Sequence, residues 1–186
     1  MLLLGGGLVG LVAGLLAGGR LGRLVEIRFK WPVVVLAALL IKELGVISPL
    51  ARTPLAPALY TLALAVLAVW TALHRQRLPG VELVAVGMLM NLVVVVANLG
   101  HMPVSVELAR FGPPEIFKTG VLGQYMLMGR GSRLDFLGDY ISLPGTLGRI
   151  LPQPYSPGDI VACLGMALTL FLAVRPVELR GAITTR

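Results

Sequence analysis

The chain has three aspartates, Asp135, Asp139 and Asp159, and all of them fall in one stretch of the C-terminal third. Two stand in Gly-Asp pairs, Phe136-Leu137-Gly138-Asp139 and Ser156-Pro157-Gly158-Asp159. Two carboxylates held a few ångströms apart resist joint ionisation, so they share a proton and can activate water for peptide hydrolysis. Asp139 and Asp159 are therefore a candidate catalytic dyad. The same residues also have a structural reading: Asp159 with Ser156 caps the helix that follows and favours its positive end, while Asp139 closes a turn.

Four further polar side chains lie inside apolar runs. Lys42 and Glu43 are adjacent, hence about 100° apart on a helix, and cannot form one face-to-face pair. Lys42 then snorkels to an interface while Glu43 finds a partner or water; a buried functional ion pair is the alternative. Asn91 and Asn98 are seven residues apart and share a helix face. An amide in hydrocarbon usually bonds to a neighbouring helix, and a ligand role stands beside that one. His74 and His101 are predicted at opposite ends of the helices that carry them, so they cannot jointly bind a haem or metal, and no cofactor or metal site is expected. The single cysteine, Cys163, excludes an internal disulfide framework.

These residues sit on five apolar stretches, at about 2–19, 32–47, 58–73, 81–100 and 158–174. The hydrophobic fraction of 56% with only 13% charged residues is more than one soluble core could absorb. Each stretch approaches the length needed to cross a hydrocarbon core of about 30 Å. The predicted fold is an all-α integral membrane protein, a single domain of five transmembrane helices. Residues 101–157, the only long hydrophilic segment, should form an amphipathic, partly helical outer loop, lying on the membrane or plugging the bundle. The first stretch lacks the basic residues of a signal peptide and is expected to be retained. Few amides, two Asn and three Gln, lean toward a heat-adapted source.

Gly6, Gly10, Gly14 and Gly18 recur every fourth residue of the first stretch and line one stripe of a helix, where another backbone can approach closely. The stripe is a predicted packing interface whose partner is a helix of this chain, a second copy or another protein. Basic residues set the orientation. Arg20, Arg23, Arg28, Lys30, Arg75, Arg77, Arg175, Arg180 and Arg186 fall on one side, against Arg52 alone in the short opposite loop. By the positive-inside rule the N-terminus lies outside, the C-terminus is cytoplasmic, and the aspartates face outward. The net charge of +7 has no aromatic-interleaved patch of a nucleic-acid binder and matches attraction to anionic lipid.

Asn98-Leu-Gly-His-Met-Pro-Val-Ser105, Phe136-Leu-Gly-Asp139 and Ser156-Pro-Gly-Asp159, in that order on a five-span frame, resemble an uncharacterised family of bacterial membrane proteins, a domain of unknown function. That family implies no activity. Tyr155-Ser-Pro-Gly-Asp159-Ile-Val-Ala-Cys-Leu-Gly165 is also similar to the stretch in which the second catalytic aspartate of lipoprotein signal peptidase opens its last helix, with Asp139 twenty residues upstream. The Asn and Asp-Arg pair which that family places at the end of its penultimate helix are missing, because valines follow Asn91. The expectation drawn from all of this is an accessory or scaffold subunit of a bacterial cytoplasmic-membrane complex, docking other subunits or itself through the glycine stripe and contacting lipid. The alternative is an aspartyl membrane peptidase using Asp139 and Asp159.

Overall fold

The computed structural model describes residues 2–26, 30–47, 49–109, 115–129 and 131–175. Arg28, Arg180, Arg186 and the Glu43 side chain, on which part of the sequence reading rests, lie outside the described residues.

The protein is mostly helical. Each of the five apolar stretches forms a helix: α1 (Leu2–Leu16), α3 (Pro32–Ile47), α4 (Leu55–His74), α5 (Val81–Ala97) and α9 (Pro157–Ala173), with the short α2 (Gly22–Glu26) after the first. The termini follow local chemistry. Pro32 and Pro157 occupy first helical positions, where a missing N–H costs nothing. Gly80 precedes α5 with φ +91°, a conformation open to glycine, and so closes the tight α4–α5 hairpin. Among the described residues only Leu55–His74 is both long and apolar enough to cross a membrane; the other apolar helices are shorter. At 1.5 Å per residue the latter reach about 23–26 Å, against about 30 Å of hydrocarbon.

The helices pack in the order α3, α4, α5, α9, α1. Ala38, Ala63 and Leu67 fill the α3–α4 contact, and Leu78, Val81, Val84 and Ala162 the α5–α9 contact. Away from these seams large apolar side chains stand in the open, including Leu36, Leu40, Leu62, Val69, Leu89, Val93 and Leu164.

The glycine stripe has its partner within the chain. A Cβ on Gly6 would lie 2.5 Å from Cys163 Sγ, one on Gly10 would strike the Ala167 carbonyl, and one on Gly14 would lie 2.5 Å from Val174 Cγ2. Their absence lets α1 lie backbone to backbone on α9. Gly18 departs from the predicted stripe: α1 ends at Leu16, and Gly18 takes φ +86° in the turn with nothing within 4 Å of its missing Cβ. The turn brings Arg20 N–H to the Val174 carbonyl at 2.9 Å, and Arg23 Nη1 donates to the same oxygen at 3.0 Å.

Residues 101–157 correct the all-α expectation. They hold the short helices α6 (Val106–Ala109), α7 (Ile116–Thr119) and α8 (Gly145–Ile150), but also a three-stranded mixed sheet of order β1-β3-β2. Strand β1 (Met102–Val104) runs parallel to β3 (Tyr125–Leu127), which pairs antiparallel with β2 (Val121–Leu122). Proline is usually confined to sheet edges, and Pro103 sits in the middle of β1, which hides the strand from a pattern reading. No ladder bond is lost there. Met102 N–H and the Val104 carbonyl bond on the β3 side, at 2.6 and 2.9 Å, while pairing on the other side begins only at the Pro103 carbonyl. Tyr60, Leu64, Val94, Val95 and Met102 form the core that seats this sheet on α4 and α5.

Candidate functional site

A polar site forms where the sheet, α5 and the start of α9 meet. It starts with two glycines. A Cβ on Gly87 would strike the Gly158 carbonyl, and one on Gly158 would strike the Asn91 side chain, so only glycine lets α5 and α9 come this close. Asn91, 4% exposed, then reaches across the seam. Its Nδ2 donates to Asp159 Oδ1 at 2.8 Å, and its Oδ1 accepts from Ser156 Oγ at 2.8 Å. Ser156 Oγ accepts from Asp159 N–H at 2.9 Å while Ser156 N–H donates to Asp159 Oδ2 at 3.2 Å, a reciprocal cap of the last helix. Asn91, Ser156 and Asp159 thus close a ring of hydrogen bonds.

Asp139 arrives on a separate segment. It does not close a turn. It lies in an extended run beside β1, its N–H donating to Pro103 O at 2.8 Å and its carbonyl accepting from Ser105 N–H at 3.0 Å. Two residues on, Ile141 and Tyr155 exchange two backbone hydrogen bonds of 2.9 Å, which ties this run to the residues opening α9. Asp139 is 6% exposed, and its Oδ1 is buried without a hydrogen-bond partner. Burial raises its carboxyl well above the usual aspartate range of about 3.8; the nearby Asp159 charge raises it further, and Lys42 opposes both. The charges of Asp159 and Lys42, on two other elements, thus act in opposite senses on the Asp139 carboxyl.

The remaining candidates divide. Asn98, predicted to share a face with Asn91, has a structural role: Nδ2 donates to the Val94 and Arg133 carbonyls at 2.8 Å each, and Oδ1 accepts from Arg133 N–H at 2.7 Å. It closes α5 and anchors residues 131–135. His74 and His101 sit at opposite ends of the α4–α5 hairpin. His74 is buried and stacked on Trp70 with ring centroids 3.9 Å apart; its Nδ1 bonds the Trp70 carbonyl at 2.8 Å and its Nε2 accepts from Lys30 N–H at 3.2 Å. His101 is half-buried, which lowers its pKa below 6.5. Among the described residues no cluster of three His, Cys, Asp or Glu could hold a metal ion. Sequence reasoning missed the influence of Lys42 on Asp139 and the Asn91–Asp159 bond. The one signal for them was the Gly-Asp pair at 158–159, where a glycine beside a cap marks a close approach.

A family of unknown function, DUF5317, matches residues 26–171. The chain belongs to that family. The matched stretch contains Lys42, Asn91, Asp139, Ser156 and Asp159, and it leaves out Gly6, Gly10 and Gly14. Among curated proteins and among solved structures, nothing matches the chain.

Proposed function

We propose that this family member is an integral protein of the bacterial cytoplasmic membrane with an aspartyl hydrolase site at its outer end. The membrane reading is supported by the exposed apolar side chains along every seam-free helix face, an arrangement a soluble protein avoids. The shorter helices then cross by local thinning of the bilayer and by the flanking interfacial segments.

The observation that carries the hydrolase reading is the buried, partnerless carboxyl oxygen of Asp139 lying within the field of a second carboxylate whose two oxygens are both hydrogen-bonded. Environments that push two acids apart assign their roles. Asp159, oriented by hydrogen bonds from Asn91 Nδ2 and the Ser156 N–H, takes a proton from water, and the resulting hydroxide adds to a peptide carbonyl carbon. Asp139, protonated, gives its proton to the carbonyl oxygen. The tetrahedral diol collapses by breaking C–N: the leaving amine takes the proton now on Asp159, and one diol hydroxyl returns its proton to Asp139 as the carboxylic acid product forms, which restores both side chains. Asn91 positions the base, and Lys42 limits how far Asp139 is driven up.

The test is a comparison of peptide N-termini released from bacterial membranes by the wild-type chain, Asp139→Asn and Asp159→Asn. New termini present only with the wild type are expected; an identical set from all three removes the reading.

A second reading, an accessory subunit, keeps one observation of its own. With the glycines turned onto α9, the opposite face of α1 presents Leu4, Leu8, Val12 and Leu16, exposed at every fourth position. A partner subunit would dock on that face and not on the glycines. Stoichiometric co-purification from native membranes that is lost with Leu8→Ser supports it, and isolation of the chain alone counts against it.

A further inference from the structure

An open apolar groove of about 550 Å³ runs along the outer half of the α4–α5 hairpin, lined by Pro54, Pro57, Thr61 and Ala65 on one side and Val96 and Leu99 on the other. From Pro54 to Ala65 the helix rises about 16 Å, close to half of a hydrocarbon core of about 30 Å, the depth of one leaflet. The one hydroxyl in the wall is already satisfied, since Thr61 Oγ1 donates to the Pro57 carbonyl at 2.8 Å. At the polar end Gly100, with φ +94°, lies against Pro57 so closely that a Cβ would come 2.7 Å from that proline's own Cβ. Beside it Leu99 holds φ +55° and is 91% exposed. This left-handed turn ends α5, with Gly100 N–H on the Val95 carbonyl at 2.9 Å and Leu99 N–H on the Val96 carbonyl at 3.2 Å, and it leaves the Leu99 side chain exposed at the mouth of the groove.

Two cations flank the same end. Arg52 precedes the groove's first residue by two positions and is exposed. Arg133, also exposed, is fixed next to Leu99 because its backbone N–H and carbonyl both bond the Asn98 amide. We infer that this groove binds one acyl chain of an anionic phospholipid whose phosphate is met by Arg52 and Arg133. Apolar length supplies the chain site and charge supplies the headgroup preference. The inference rests on the membrane reading above and is independent of the hydrolase chemistry.

The test uses the full-length chain in detergent micelles, with retention of phosphatidylglycerol and phosphatidylcholine compared by native mass spectrometry. The wild type is expected to prefer phosphatidylglycerol by about 30-fold, the ~2 kcal/mol that two cations contribute at an anionic surface. Arg52→Gln/Arg133→Gln should abolish the preference and leave weak retention of both lipids. Ala58→Phe, at an exposed position in the groove wall, should reduce retention of both. Equal wild-type retention, a preference unchanged in the double arginine variant, or no effect of Ala58→Phe would each overturn the inference. Alkaline extraction of cell membranes containing the same chain separates the two levels. Release into the soluble fraction removes the membrane reading and the lipid site together, whereas membrane retention without lipid preference removes only the lipid site.

Discussion

The α1–α9 seam and the polar site between α5 and the N-terminus of α9 are both close approaches built on glycine, yet they do opposite things. In the first, Gly6, Gly10 and Gly14 lie against Cys163, Ala167 and Val174, and removing side chains brings backbones together with almost no polar chemistry. In the second, Gly87 and Gly158 remove bulk so that one amide can cross the gap and bind both a carboxylate and a hydroxyl. The same α9 serves both, with its glycine-facing surface toward α1 and its capped N-terminus toward α5. A small residue thus marks a close approach, and only its neighbours decide whether that approach is packing or chemistry.

Substitutions can break this contrast in order of expected effect. Gly10→Leu should be the most damaging, because the new side chain meets the Ala167 backbone, which cannot rotate away. A loss of about 3 kcal/mol or more is expected, or failure to fold, read as lowered thermal stability in detergent. Gly5→Ala, where nothing lies within 4 Å, should leave stability unchanged or slightly raised; equal damage from both would mean the seam is not a tight contact.

Asn91→Leu comes next. It strips a partner from Asp159 Oδ1 and from the fully buried Ser156 hydroxyl, for a cost of about 2–4 kcal/mol. Ser156→Ala removes the cap hydroxyl alone and should cost about 1 kcal/mol. If the serine change proved the costlier of the two in chemical denaturation, the ring would be a helix cap with an incidental asparagine.

The smallest and most diagnostic change is Asp139→Asn. The folded state raises this carboxyl above its unfolded value, so the native fold favours the protonated form. That contribution is fully present below about pH 3.8 and is lost as pH climbs through the raised folded value. The wild type should therefore lose stability across that interval, and the asparagine variant should show a flatter profile in the same melting experiment. Parallel curves for the two would show that Asp139 ionises freely and has no buried acid role.

The sequence made parts of both regions legible and concealed others. Strict spacing at Gly6, Gly10 and Gly14 named a seam, and the Ser156–Asp159 pair named a cap, because helix periodicity and capping chemistry are local. Pairing between Met102–Val104 and Tyr125–Leu127 was concealed, since those strands are short, parallel, distant in sequence and interrupted by Pro103. The turn reading of Asp139, one of the two the sequence allowed, failed for the same reason: its extended shape is imposed by β1, not by its own neighbours.

What the residues by themselves determined is the set of apolar helices, their caps and the presence of a glycine-lined face, all of which follow from interactions within a few positions along the chain. Only the tertiary structure decided that the glycines meet α9, that a sheet covers the C-terminal end of α5, and that Asn91 joins Ser156 to Asp159 while Asp139 is buried on a run tied to the start of α9. Those outcomes depend on which surfaces find each other across long stretches of chain. Such choices are set by burial and packing summed over the whole molecule, which no local spacing encodes.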